Sequence, residues 1–131
     1  RDELQAIVPP DSPLAGRGKV TIQELAQFPF LMREPGSAGR KALDGYLALH
    51  RLSVQPAWES VSTLALIRAA QNGLGIAILP ELLVRDALKS GDLVSLPLPP
   101  DTRSLYLIRH RNKYLSSSAE EFQNLCRMWK F

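Results

Sequence analysis

The sequence has one cysteine, Cys126, in 131 residues. A single thiol cannot close an internal disulfide, and such sparing use suits a reducing compartment. Histidine is nearly as scarce. His50 and His110 stand far apart with no cysteine pattern around them, so neither a structural zinc site nor any other metal is expected. Long apolar runs are lacking too. The longest strongly apolar stretches run to about ten residues, short of the roughly 20 that a spanning helix needs, so no membrane partner is expected. No charged-then-apolar secretory segment opens the chain. Aromatic residues make up 7%. None is interleaved with the basic residues of the last third, Arg103, Arg109, Arg111, Lys113, Arg127 and Lys130. Single-strand nucleic-acid binding needs such stacking partners, so these charges read as a solvated face, and the net charge is only +3.

Catalytic patterns are absent as well. No Gly-x-Ser-x-Gly elbow occurs, and no spacing groups Ser, His and Asp into a triad. The carboxylates of Asp11, Asp44, Glu59 and Asp101 are scattered and read as surface charges and caps. "NGLGIAILPE" contains a Gly-x-Gly, but the order is helix, glycines, strand, where a dinucleotide site needs strand, glycines, helix. The third fingerprint position is Ile78, and no Lys-Ser or Lys-Thr pair follows. A phosphate loop is excluded. No cofactor is expected, and the chain is not expected to be an enzyme.

What is present is a fold signature. Hydrophobic residues make up 45% and charged residues 22%, a balance that folds. The length suits one domain or one lobe. "ELQAIVP" (3–9) reads as a strand, and "RDELQAIVPP" as the entry into it, as expected in the middle of a protein. Thr21 and Glu24 form a capping box. "PFLMRE" (29–34) is a strand, and Ser37 caps a helix to about Arg51 with a stripe at Leu43, Tyr46, Leu47 and His50. "SVQPAWES" (53–60) holds a short strand interrupted by Pro56, which marks an edge strand or a strand start. Ser60 is expected to cap a helix over 61–72 that is apolar most of the way round. Gly73 ends that helix at positive φ, Gly75 turns the chain, and "GIAILP" is a strand buried on both faces. "PELLVRDALKSG" is a helix with Pro80 in its first turn and Gly91 past its end. "LVSLPL" and "RSLYLIRH" are strands around the loop "PLPPDT". Ser117 with Glu120 reads as a second capping box, opening a helix with Phe122, Leu125, Cys126 and Trp129 on one face. Alternating strands and helices give an α/β class with a mostly parallel sheet flanked by helices.

The candidate site is "REPGSAGR". A strand end, a tight turn and a helix start follow one another, so the N–H groups of Ser37, Ala38 and Gly39 are expected to be unpaired. Arg33 and Arg40 add charge, and helix N-termini hold anions well. "WES" at 58–60 repeats the arrangement with Glu59 and Ser60. Ligands of open α/β sheets bind beyond the carboxyl ends of strands, so both serines belong on one edge. From the residues alone, a site and a plain N-cap both fit each serine.

The strand ending in "VPPDSPLA", the "REPGS..R" turn, the "ES" before an apolar helix, "GLGIAILP" and "RSLYLIRHR...SSSAEEF" together resemble the effector-binding domain of LysR-type transcriptional regulators, over essentially the whole chain. The resemblance implies a type 2 periplasmic-binding-protein-like fold of two α/β lobes. Residues 9–103 would be lobe two, 3–9 and 104–110 the crossing strands, and 117–130 a C-terminal helix of the partner lobe. The helix-turn-helix and the first part of lobe one would lie outside this chain. It implies a small effector in the interlobe cleft against Glu34, Pro35, Gly36, Ser37, Glu59 and Ser60; Arg33, Arg40 and the helix N-terminus, read from the residues, make an anionic group the expected ligand chemistry there. It implies a homo-oligomer, a dimer and in the full-length protein a tetramer, with Val61, Leu64, Ala65, Arg68 and Asn72 in the dimer contact. DNA would be bound only through the helix-turn-helix, and the location would be cytoplasmic. The alternatives from the residues are a lobe of an extracytoplasmic solute-binding protein and, third, an enzyme of related two-lobe architecture.

Overall fold

Alternation within the strands sets the layers. In β1 (Asp2–Val8), Leu4, Ala6 and Val8 join one apolar cluster while Ile7 joins another. Further along the chain, β2 (Phe30–Arg33) sends Phe30 and Met32 to the first cluster and Leu31 to the second. The fully buried β4 (Ile76–Pro80) divides likewise, Ile76 and Ile78 against Ala77 and Leu79. Successive strand side chains point to opposite faces, so both faces of this sheet are apolar and both need cover. Helices α1 (Ile22–Leu25) and α2 (Ala38–Leu49) cover the first face with Ile22, Leu25, Leu43, Tyr46 and Leu47. On the second face lie α3 (Thr63–Gln71), with Leu66, Ile67, Ala69 and Ala70, and α4 (Glu81–Ser90), with Val84. A fully buried side chain such as that of Phe30 stabilises the lobe by about 2–3 kcal/mol.

This computed structural model describes residues 2–96, 98, 102–103 and 106–129. The remaining elements are β3 (Pro56–Ser60), β5 (Val94–Leu96), β6 (Thr102–Arg103) and α5 (Ser117–Met128). The sheet runs β3-β2-β4-β1-β5, with β6 beside β1. β2 is parallel to β3 and to β4, and every pairing made by β1 is antiparallel. β2, β3, β4 and β5 therefore share one direction and β1 runs against them. The α/β lobe of the sequence reading is present, with a mixed sheet. β3 is an edge strand, and Pro56 is its first residue, where a missing N–H is tolerated.

Several local expectations are met. Thr21 and Glu24 bond reciprocally as a capping box. Gly73 takes φ +71°, and the N–H groups of Gly73 and Leu74 reach Ala70 O and Ala69 O, a Schellman ending for α3. Gly91 ends α4 at φ +79°.

Others are corrected. Ser60 does not cap α3. It closes β3, and Ser62 is the cap, accepting from the Ala65 N–H. The C-terminal helix is capped by Ser116, not Ser117, and Ala119 rather than Glu120 stands at its third position, so there is no capping box. His50 leaves the buried stripe because α2 ends there; it is exposed, with its ring edge-on to Tyr46 at 4.9 Å. Gly75 is needed for space rather than for a turn. A Cβ there would stand 2.5 Å from the Pro29 carbonyl oxygen, which accepts the Ile76 N–H at 2.8 Å.

Of the expected crossing strands, the first is β1. The second, 104–110, has positions 104 and 105 outside the described residues, and 106–110 take no part in a ladder. Its place beside Asp2 and Glu3 is held by Thr102 and Arg103. Pro97, Pro99, Pro100 and Asp101 of the "PLPPDT" loop, and Lys130, lie outside the described residues.

Candidate functional site

Parallel register builds the site edge. Met32 pairs with Glu59 and Arg33 with Ser60, so β2 and β3 finish side by side. A shift in the ladder between Phe30 and Leu31 skips Ala57 and sets that phase. The chain then turns at Glu34-Pro35-Gly36-Ser37, closed by the Ser37 N–H on the Glu34 carbonyl at 3.3 Å. Pro35 and Gly36, the latter at φ +94°, occupy the central positions that a type II turn reserves for them. Ser37 follows as N-cap of α2, its Oγ accepting the Arg40 N–H at 3.1 Å.

The expected three unpaired amides are two. Ser37 uses its N–H in the turn. The N–H groups of Ala38 and Gly39 meet no acceptor among the described residues. They open outward at the positive end of a 12-residue helix. Ser60 Oγ accepts the Ser62 N–H at 3.1 Å. Both serine hydroxyls accept backbone N–H groups and keep a proton to donate.

The two arginines are already engaged. Arg33 forks onto Glu34 at 2.8 and 3.0 Å and donates to Thr63 Oγ1 at 2.7 Å. That fork holds the Glu34 carboxyl below the usual carboxylate range. Arg40 donates to Asp44 at 2.9 Å, to the Arg33 carbonyl at 2.9 Å and to Glu59. Its guanidinium pKa is pushed up, first by the Glu59 hydrogen bond. Arg40 thereby ties the first turn of α2 to the ends of β2 and β3. Around this edge two cations meet three carboxylates, so what faces outward is amide and hydroxyl rather than free positive charge. Asp44, which the sequence marked only as a surface charge or cap, and Thr63, which it did not mark, both belong to the network. Asp44 stands four residues after Arg40, a helical spacing that signals pairing. Thr63 carries no such signal, since 30 positions separate it from Arg33.

The helix expected over 61–72 spans 63–71, so of the residues expected at a dimer contact Leu64, Ala65 and Arg68 lie on α3, Val61 precedes its N-cap Ser62, and Asn72 is its C-cap. Val61 and Leu64 are 74% and 63% exposed, Ala65 is half-buried, and Arg68 and Asn72 are exposed. The apolarity of this helix thus divides into a buried face toward the sheet and an uncovered one. On α5, Phe122, Leu125, Cys126 and Trp129 line a hollow of about 680 Å³ with Tyr106 and Leu107.

The model of the LysR substrate binding domain matches residues 1–130. The chain belongs to this family. It is 39% identical over 127 residues to the HTH-type transcriptional regulator YeiE of Escherichia coli K12, covering 95% of this chain and 43% of that protein. With the RuBisCO operon transcriptional regulator of Allochromatium vinosum it shares 32% over 122 residues, 92% of this chain and 40% of the relative. This LysR chain thus spans about two fifths of the length of these curated relatives, which are transcriptional regulators and not solute-binding proteins. Among solved structures, the regulatory domain of CcmR from Synechocystis PCC6803, in complex with 2-PG, superposes with a TM-score of 0.78 at 25% identity, over 95% of this chain and 61% of that one. HinK, a LysR family regulator from Pseudomonas aeruginosa, shares the fold with a TM-score of 0.78 at 20% identity, over 96% and 44%. No helix among the described residues is long and apolar enough to cross a membrane.

Proposed function

We propose that this chain is the ligand-sensing part of a DNA-binding transcriptional regulator, and that a small effector bearing an anionic group binds at the edge where β2 and β3 end. One observation carries the reading. In a LysR-family chain, parallel register puts the Ser37 turn and Ser60 side by side, with two outward amides at the start of α2. The complex of the similar CcmR regulatory domain with 2-PG supports a small ligand for a domain of this kind. The anionic group meets the Ala38 and Gly39 N–H groups and the Ser37 and Ser60 hydroxyls. Arg33, Arg40, Glu34 and Glu59 hold the frame, and Pro35 and Gly36 shape the turn.

A second lobe, including α5 and its uncovered apolar side, closes over this edge. The outer face of α3, with Val61 just before it and Asn72 at its C-cap, carries the contact between copies in the oligomer. Binding is sensed rather than followed by chemistry, and DNA is held by a separate helix-turn-helix in the cytoplasm. The test is effector titration of the two-lobe protein beside its Ser37→Ala variant. A hydroxyl bonded to a charged group contributes about 1.5–3 kcal/mol, so affinity should fall at least tenfold. Equal affinity would remove Ser37 from the site.

A further inference from the structure

A second hollow, of about 410 Å³, lies at the other end of α2. That helix has 12 residues, which separates its two ends by roughly 18 Å. The floor is apolar. Val20, Ile22 and Tyr46 are buried, and Leu98 packs on the same core. The rim carries Lys19, Gln23 and His50. These three side chains make no hydrogen bond or ion pair among the described residues. The edge-on contact with Tyr46 orients the His50 ring without using its nitrogens.

The electrostatics are the reverse of those at the Ser37 edge. There, Arg33 and Arg40 are matched by Glu34, Glu59 and Asp44. Here the neighbouring acid, Glu24, is consumed by Thr21 and Arg17, so Lys19 meets no compensating carboxylate among the described residues. Arg51, the residue after His50, has no ion pair among the described residues either. A helix C-terminus ordinarily repels anions through its bare carbonyls. In α2 two of these are closed: Leu47 O accepts from Leu52 and Ala48 O from Arg51.

We propose that this hollow is a second small-molecule site, distinct from the Ser37 edge, for an amphipathic carboxylate. The apolar body lies on Val20, Ile22, Tyr46 and Leu98. The carboxylate takes the Lys19 ammonium and N–H donors of Gln23 and His50. The volume falls within the span of small-molecule sites, about 300–1,000 Å³, and an apolar floor with few convergent polar groups is their usual make-up.

Residue-resolved amide NMR of the full chain tests the assignment, with phenylacetate as probe, 2-phenylethanol as its neutral counterpart and inorganic phosphate as an anion without an apolar body. Phenylacetate should shift the amides of residues 19–23 and 46–51 saturably in the millimolar range. The alcohol and phosphate should bind at least about tenfold more weakly. Lys19→Met removes the charge at nearly unchanged side-chain length and should weaken phenylacetate by the same factor with an unchanged thermal midpoint; His50→Ala, also at an exposed position, should do likewise. No shift in these segments, equal binding of the alcohol, or unchanged binding by both variants would overturn the proposal. Shifts confined to residues 34–40 and 59–64 would also overturn it while supporting the effector edge.

Discussion

The Arg33 guanidinium donates to Thr63 Oγ1 at 2.7 Å across 30 positions of sequence. The same guanidinium is forked onto Glu34. One side chain thus joins the turn that leads to Ser37 with the first residue of α3, whose exposed face carries Leu64. Thr63→Val removes the acceptor and leaves one guanidinium N–H to water. It should lower unfolding free energy by about 1 kcal/mol, and Arg33→Ala by about 2 kcal/mol, read from urea midpoints at constant slope.

Gly73 and Gly75 should respond to very different extents to the same change. Asparagine tolerates the left-handed region that Gly73 occupies, and no atom lies within 4 Å of a Cβ there. Gly73→Asn should therefore cost less than about 1 kcal/mol. Gly75→Asn drives a Cβ into the Pro29 carbonyl, which is backbone and cannot step aside. A loss of about 2 kcal/mol or more, seen in chemical denaturation, is expected.

Arg51 holds φ +57° where α2 ends, the one non-glycine residue with positive φ among those described. Its position in the Schellman ending is the one glycine favours. Arg51→Gly should raise stability by up to about 1 kcal/mol, visible as a higher thermal midpoint.

Acid should loosen the turn in a definite window. The folded pKa of Glu34 is depressed below its ordinary value of 4.5, first by the hydrogen bond from Arg33. A depressed carboxyl contributes stability that is whole above the unfolded value and is lost as pH falls through the folded one. Glu24, lowered first by its bond from the Thr21 N–H, acts in the same sense. Stability should decline below pH 4.5, and Glu34→Gln should decline less steeply there. A variant with the same acid slope as the parent would show that the fork contributes nothing to the pH dependence.

Local chemistry was legible in the sequence wherever one short segment decides it. The Thr21–Glu24 box, Ser37 as a cap, Pro56 at a strand edge, and Gly73 and Gly91 as helix stops are all written within a few residues. The edge shared by Ser37 and Ser60 was also readable, because parallel strands feeding helices leave their carboxyl ends together. Neighbouring serines were harder. Ser60 and Ser62, or Ser116 and Ser117, offer identical chemistry, and the length of the preceding ladder or turn selects between them. The pairing of Arg33 with Thr63 and of Arg40 with Glu59 depends on a skipped residue in β3. One position of slip would have faced other side chains into the edge. The second role of Gly75, making room for Pro29, is a distance between segments that no local pattern records.

β1 pairs with β4, β5 and β6, and with no strand between them in sequence. During synthesis β1 therefore emerges long before the partners it has among the described residues. Until the stretch that begins at Ile76 is free, "LQAIV" lacks its β4 and β5 partners and has an apolar face on each side. Closing so long a loop is slow, and open strand edges invite foreign pairing. The lobe's hazard during synthesis is thus concentrated in its first strand, which in the finished fold is sealed between β4 and β5.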